Sequence, residues 1–284
     1  MNPASVAAPS PAVSIGLPVY NGARFLQEAL DALLGQTWQD LELIISDNCS
    51  TDATREICER AAARDPRVRY VRQPENIGPT RNFAFVLQQA RGEFFMWAAH
   101  DDRWDSGWIE ALVARLRAGA ALAFGEVVQV DEHNRLLRTC PRFTFQGPRL
   151  WRKLRFLFSE EWNGKANLLY GLMRTRDVRQ LGLHVYSRNP FGADMHFVYR
   201  VLQLGDAASA PGVRLYKRFV ASDLRPPAGS WLRRALLADR LPYYAVYPRI
   251  ATDAAEQLTI VICLPIAYVK ALAVSVLRRL RRGS

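Results

Sequence analysis

Histidine and cysteine are both scarce in this chain of 284 residues, at four each, and no two cysteines form a CxxC pair. That scarcity argues against zinc-ribbon, iron–sulfur and histidine-rich metal chemistry. Cys49, Cys58, Cys140 and Cys263 read as small core residues in a reducing compartment. His100 reads as a polar turn residue, and His184 or His196 is at most an additional ligand. No GxGxxG follows the first strand-like run and no GxxxxGK[ST] occurs, which removes support for a dinucleotide oxidoreductase and for a P-loop phosphotransferase. A GxSxG elbow is missing too. The first twelve residues lack the basic and apolar regions of a secretory signal and read as a disordered leader.

The chain does have an excess of positive charge, 38 Lys and Arg against 27 Asp and Glu, or +11, which suits anionic partners. Its apolar runs alternate with helical patterns. Val13–Val19, Leu41–Ser46, Val68–Val71 and Glu93–Ala99 read as strands, the second buried and the last buried on both faces, and the segments between them carry helical spacing, as in Phe25, Leu26, Ala29, Leu30, Leu33 and Leu34. Such alternation predicts a parallel sheet. Asn21 is expected to cap the first helix, and Asp105 a later one ending near Arg117. Ala121–Val130 and Arg135–Leu137 predict a hairpin that makes the sheet mixed, and Leu168–Met173 another strand. Phe143–Phe158 interleaves Arg and Lys with aromatics, a pattern that can bind nucleic acid, but it reads better as a solvated helix face, so no nucleic-acid partner is expected.

Carboxylates punctuate the ends of these strands. Asp47 closes the second, Asp101 and Asp102 close the fourth, and Asp194 opens a helix expected to run to Leu204. Ligands of open α/β sheets collect at those carboxyl ends. Adjacent carboxylates repel each other, which a divalent cation relieves, so Asp101-Asp102 reads as a metal–diphosphate site. Taken alone, the pair also fits an acidic turn in which Asp102 or Asp105 caps the next helix.

In order, Pro18-Val19-Tyr20-Asn21-Gly22, Ser46-Asp47-Asn48-Cys49-Ser50-Thr51-Asp52, Asn76-Ile77-Gly78 with Arg81-Asn82, and Gly92-Glu93 running to Asp101-Asp102 closely resemble the motifs of family 2 glycosyltransferases, over roughly residues 13 to 220. The resemblance implies a glycosyltransferase-A type α/β fold, with a mostly parallel mixed sheet flanked by helices and a C-terminal helical tail. It implies a catalytic domain over 13–222 and a tail over 223–284. It also implies an inverting enzyme that moves a sugar from a nucleotide-diphosphate-sugar to a hydroxyl of a glycan or lipid-linked acceptor, in surface polysaccharide biosynthesis or lipid-linked glycan assembly. Donor contacts would come from Pro18, Tyr20, Asn21, Asp47, Asn76, Arg81 and Asp101, with Asp101 and Asp102 on Mn²⁺ or Mg²⁺, and Asp194 would be the catalytic base. The N-terminus of its helix is expected to hold that carboxylate ionised. Two positions depart from the family pattern: Ala99 stands where the Asp-x-Asp motif usually begins, and Ala193 where Glu often precedes the base. These departures motivate a competing reading, a nucleotide-sugar binding module without catalysis. A nucleotidyltransferase releasing pyrophosphate is a third.

Leu258–Leu277 is nearly all apolar, interrupted by Pro265 and Lys270 and followed by Arg278, Arg279, Arg281 and Arg282. It is long enough to span a bilayer. A central Lys costs about 2.5 to 3.5 kcal/mol, and four Arg on the far side would oppose the positive-inside tendency. A helix lying in the cytoplasmic leaflet is therefore expected, aided by the basic stretch Trp231–Leu241, in a cytoplasmic protein peripheral to the membrane. Packing of the tail on its own domain is the competing reading.

Overall fold

The computed structural model describes residues 10–183, 192–220 and 244–282. Most of the expected leader, His184, the Asn189-Pro190-Phe191 loop and the segment Trp231–Leu241 lie outside the described residues.

The first half is the expected alternation. Strands β1 (Val13–Val19), β2 (Leu41–Asp47), β3 (Val68–Arg72) and β4 (Phe94–Trp97) are connected by helices α1 (Ala23–Leu34), α2 (Thr54–Arg64) and α3 (Pro79–Gln89). They pair in parallel in the order β3-β2-β1-β4. All seven residues of β1 and of β2 are buried, which is why these strands read as unbroken apolar runs. Helix α1 buries Leu26, Ala29, Leu30 and Leu33 as one stripe. Gly16 in β1 admits no side chain, because a Cβ there would lie 2.7 Å from Val86 of α3.

Beyond β4 the chain forms β5 (Arg103–Trp104), α4 (Trp108–Arg117), β6 (Leu122–Asp131), β7 (Leu136–Thr139), α5 (Arg149–Phe158), β8 (Leu172–Arg174), α6 (Thr175–Leu181), α7 (Ala193–Val201) and β9 (Ala207–Phe219). The sheet continues β4-β8-β6-β9-β5, with β8 antiparallel to β4 and β6 but β9 parallel to β6, so it is mixed as expected. The predicted hairpin is β6–β7.

Several local expectations are corrected. The strand expected over Leu168–Met173 begins only at Leu172, because Lys165–Tyr170 forms a 3₁₀ turn. Helix α7 stops at Val201, short of Leu204. Asn21 and Asp105 do not cap helices; Gly22 and Gly107 take those positions. The Asp105 carboxylate instead accepts from the Arg214 N–H at 2.9 Å. α5 is solvated on one face only, at Arg149, Trp151 and Arg155. Arg152 and Lys153 are buried, the first donating to the Leu202 carbonyl at 3.1 Å and pairing with Asp206 at 3.2 Å.

Lys153 is half of the contact that fixes the last helix, α8 (Ala254–Arg282). Its ammonium pairs with Glu256, and both side chains are essentially without exposure. Thr252 and Tyr199 also donate to Glu256. Burial pulls the Lys153 pKa down, and Glu256 partly restores it. Breaking a buried pair from one side leaves a charge uncompensated, so Glu256→Gln is expected to lower unfolding free energy by about 3 kcal/mol. Urea denaturation reads this directly, and a loss under about 1 kcal/mol, the worth of an exposed pair, would mean that α8 is held otherwise. Ile260 and Ala267 of α8 join the common core, so the helix packs on the domain along this face.

Candidate active site

Buried charge is treated differently at the two ends of the sheet. At the amino ends, Glu42 accepts from Ser14, from Arg91 through backbone and side chain, and from Arg69, and is fully satisfied. At the carboxyl ends one carboxylate is left with capacity to spare.

The β1–α1 and β2–α2 loops are tied together. Asn21, at φ 50°, accepts from the Thr51 N–H at 2.8 Å and donates its own N–H to Ser50 at 2.9 Å. A left-handed conformation suits Asn better than most residues. Gly22 donates to Thr54 at 2.9 Å, and Asp52 accepts from Ala23 and Thr54. A Cβ on Gly22 would lie 2.5 Å from the His100 ring, so this turn packs directly against the Asp101-Asp102 turn. Asp47 is wholly buried: Ser50 N–H donates to it at 2.8 Å, the Tyr70 hydroxyl at 3.0 Å, and Arg72 stands 3.7 Å away. Asn48 clasps the next loop, donating to Asn76 at 2.9 Å and accepting from the Ile77 N–H at 2.8 Å. Asn82, paired with Ser46, is buried, whereas Arg81 is exposed and has no hydrogen bond or ion pair among the described residues. Tyr20 is 46% exposed at the rim beside Pro18 and Asn21.

The Asp101-Asp102 pair divides. Asp102 turns inward, 1% exposed, and accepts from Lys217 Nζ at 3.0 Å and from the Arg218 N–H at 3.1 Å. Burial pushes its carboxyl up to about 6, with Lys217 pulling the other way. Burial disfavours the Lys217 ammonium, but Asp102 outweighs it and keeps that group charged. The buried Arg218 guanidinium donates to the Asp101 carbonyl at 2.9 Å and pairs with Glu28. β9 thus grips the turn from both of its faces, and β5 pairs antiparallel with β9 just beyond it. The half-buried Asp101 carboxylate is left with no hydrogen bond or ion pair among the described residues.

Asp194 is the second residue of α7. Gly192, at φ 82°, is the N-cap, and the Asp194 carboxylate accepts from the adjacent Met195 N–H, at 2.8 Å. Burial, the largest influence, raises its pKa against the effect of that bond, and Glu161 raises it further. α7 is fixed to β4 by Phe197, edge-on to Trp97 at 5.3 Å, and it packs on the 3₁₀ turn ending at Tyr170. The half-buried Tyr170 is where the acidic groups converge. Burial raises its pKa, Lys217 lowers it, and Asp102, Asp101 and Asp194 raise it again, so all four charges act on one phenol. Lys217 lies 5.2 Å from the ring. Tyr170, Lys217 and Arg218 were not legible as site residues, since Lys217 meets Asp102 across 115 positions of chain and no motif surrounds it.

Among the described residues no group of three or more His, Cys, Asp and Glu could by itself hold an ion. One unsatisfied carboxylate still fits a cation of the Mg²⁺ type, which binds through one or two carboxylates together with substrate phosphates. Asp101 meets that condition, and Asp102, committed to Lys217, does so less well.

A mostly parallel mixed sheet with acidic turns at its carboxyl ends is a glycosyltransferase-A type fold. Residues 14–179 match the model of Glycosyl transferase family 2, and the chain belongs to that family. It is 32% identical over 125 residues to the GalNAc(5)-diNAcBac-PP-undecaprenol beta-1,3-glucosyltransferase of Campylobacter jejuni, covering 44% of this chain and 40% of the relative. Against the glycosyltransferase EpsJ of Bacillus subtilis, itself uncharacterized, identity is 28% over 216 residues, 63% of this chain and 62% of the relative. The chain therefore spans under two thirds of the length of these relatives. Among solved structures, Staphylococcus aureus TarS 1-349 in complex with UDP-GlcNAc superposes with a TM-score of 0.62 at 18% identity, covering 87% of this chain and 70% of that one. The mannosyltransferase PcManGT of Pyrobaculum calidifontis, in complex with GDP-Man and Mn²⁺, gives 0.57 at 21% identity, covering 100% and 80%.

Proposed function

We propose that this protein is an inverting glycosyltransferase that moves a sugar from a nucleotide-diphosphate-sugar to a hydroxyl of a lipid-linked glycan. The observation that carries the reading is the turn after β4, where Lys217 and Arg218 of β9 hold Asp102 and the Asp101 carbonyl while the Asp101 carboxylate has no hydrogen bond or ion pair among the described residues. Tyr20, Asn21, Asp47 and Asn76 shape the donor pocket, with Pro18 at its edge and the unpaired Arg81 facing the donor. The buried Asp47 acts by fixing its loop and through whatever edge the base reaches. Asp101 would hold Mn²⁺ or Mg²⁺, and Asp102 keeps Asp101 in place through Lys217 and Arg218. Bound there, the ion would neutralise the departing diphosphate. Asp194 takes the proton of the acceptor hydroxyl as that oxygen bonds to the anomeric carbon, while the bond from that carbon to the diphosphate breaks on the opposite side. A raised pKa suits a base, which works best near the operating pH. Binding of UDP-GlcNAc or GDP-Man by the solved neighbours, Mn²⁺ in one of them, and the undecaprenol-linked glycan named for the Campylobacter relative support this reading. In a thermal-shift screen of nucleotide-sugars, at least one is expected to stabilise the protein with Mn²⁺ or Mg²⁺ and to lose that effect with EDTA; no response from any donor would count against the reading.

The work is proposed to occur at the cytoplasmic face of a membrane. Within Ala254–Leu277 an 18-residue stretch has a mean hydropathy of 2.3, and the helix is long and apolar enough to cross a bilayer. Crossing conflicts with its packing, since Glu256, Ile260 and Ala267 are buried on the domain and Lys270 donates to the Phe158 carbonyl at 2.9 Å. Leu258, Val261, Ile262, Ile266, Val269 and Leu277, each at least 50% exposed, form an opposite stripe at helical spacing. A helix docked on one face and apolar on the other lies in an interface rather than across it. The clustered Arg278, Arg279, Arg281 and Arg282 suit anionic headgroups.

A further inference from the structure

An open cleft of about 500 Å³ lies between the segment after β7, the end of α5, the turn at Glu161–Asn163 and α8. Its lining combines three cations, Arg142, Arg155 and Lys270, with the aromatic rings of Phe143 and Phe158, against a single acid, Glu160. The three cations are not equally committed. Arg142 pairs with Glu126, and Lys270 uses one of its three donors on the Phe158 carbonyl. Arg155 is exposed and has no hydrogen bond or ion pair among the described residues. The carbonyls at the end of α5 do not claim it, because Lys165 already donates to Phe156 and Ser159.

Two neighbours give this cleft a direction. Lys270 belongs to the turn of α8 that carries the exposed Ile266 and Val269, so the cleft opens beside the apolar stripe. On the other side its wall includes Glu160 and Asn163, which flank Glu161, and the charge of Glu161 acts on Asp194. A molecule with an apolar chain joined to a phosphate would meet the stripe and then the cations.

We propose that the cleft between Arg142, Arg155 and Lys270 binds the phosphate or diphosphate of a polyprenyl-linked acceptor, whose chain runs along the exposed stripe of α8. This rests on the lipid-linked acceptor reading above and adds the site that selects it. Arg155 and Lys270 supply free donors to the phosphate oxygens, and Phe143 and Phe158 cover the first carbons of the chain. A bilayer without such a headgroup would hold the protein only by the stripe and by general charge.

The test uses the full chain in flotation with phosphatidylcholine vesicles carrying either a polyprenyl phosphate or phosphatidylglycerol at matched negative charge, with inorganic pyrophosphate as a soluble arm. Polyprenyl phosphate vesicles are expected to bind at least about tenfold more tightly than phosphatidylglycerol vesicles. The double substitution Arg155→Gln with Lys270→Gln should abolish this preference while leaving nucleotide-sugar stabilisation unchanged, and the single Arg155→Gln, which breaks no contact among the described residues, should weaken it with the thermal midpoint unchanged. Equal binding to both vesicles by the wild type, or a preference kept by the double variant, would overturn the proposal. So would inorganic pyrophosphate binding as tightly as the lipid. Because donor stabilisation is measured on the same samples, a wild type that binds its donor but shows no headgroup preference refutes this site alone, whereas absence of any donor response refutes the glycosyltransferase reading.

Discussion

Replacing Asp194 by Asn is expected to lower kcat by about 10² to 10⁴, the usual worth of a general base, with donor affinity near wild type. The substitution is almost isosteric, and Gly192 rather than Asp194 occupies the N-cap of α7. An amide oxygen can still accept from the Met195 N–H, so stability should change little. The variant therefore separates proton transfer from architecture. The pH profile adds a second readout. A base works only when ionised, so wild-type activity should fall as pH falls through the Asp194 pKa, and burial moves that fall above the ordinary Asp value of about 3.9. The residual activity of Asp194→Asn should lack this limb. Nucleotide release with a competent acceptor measures both, and a near wild-type kcat would remove Asp194 from the mechanism.

The second large effect belongs to Asp101. Asp101→Asn is expected to reduce kcat/KM by at least about 10², because several kcal/mol of charge stabilisation at the diphosphate depend on the ion it holds. Calorimetry of Mn²⁺ with nucleoside diphosphate should show the same loss, with the fold intact, since nothing among the described residues leans on that carboxylate. Asp102→Asn should behave differently. It leaves Lys217 half-buried and uncompensated, and is expected to cost about 3 kcal/mol of stability. Its Mn²⁺ affinity should fall less, in proportion to how far the turn loosens. If Asp102→Asn abolished metal binding while Asp101→Asn kept it, the two roles would have to be exchanged.

These contrasts mark where the sequence was readable. β1, β2 and β4 are buried on both faces, and such strands announce themselves as apolar runs whose last residues must be the turn. The acidic turns were found because motif and strand end coincide at Asp47 and Asp101. What each carboxylate does there was not legible, because that depends on partners brought from afar. Asp102 is committed by Lys217, and Arg218 clamps Asp101 from the same strand, yet nothing local distinguishes these two cations from the other basic residues of the chain. α5 misled for the same reason. A run of Arg and Lys reads as solvated until a buried acid such as Glu256 arrives from a helix a hundred residues later. Asp194 was located by motif, but the sign of its pKa shift came from burial, which no local pattern supplies.

The most direct test of the central claim is analysis by NMR of the product formed from a donor that stabilises the protein and a polyprenyl-linked glycan. The expected result is one nucleoside diphosphate released per glycosidic bond formed, the new bond having the opposite anomeric configuration to the donor, with product from Asp194→Asn formed at least about 10² more slowly. Donor binding with no transfer to any acceptor hydroxyl, or a product that retains the donor's configuration, would contradict it.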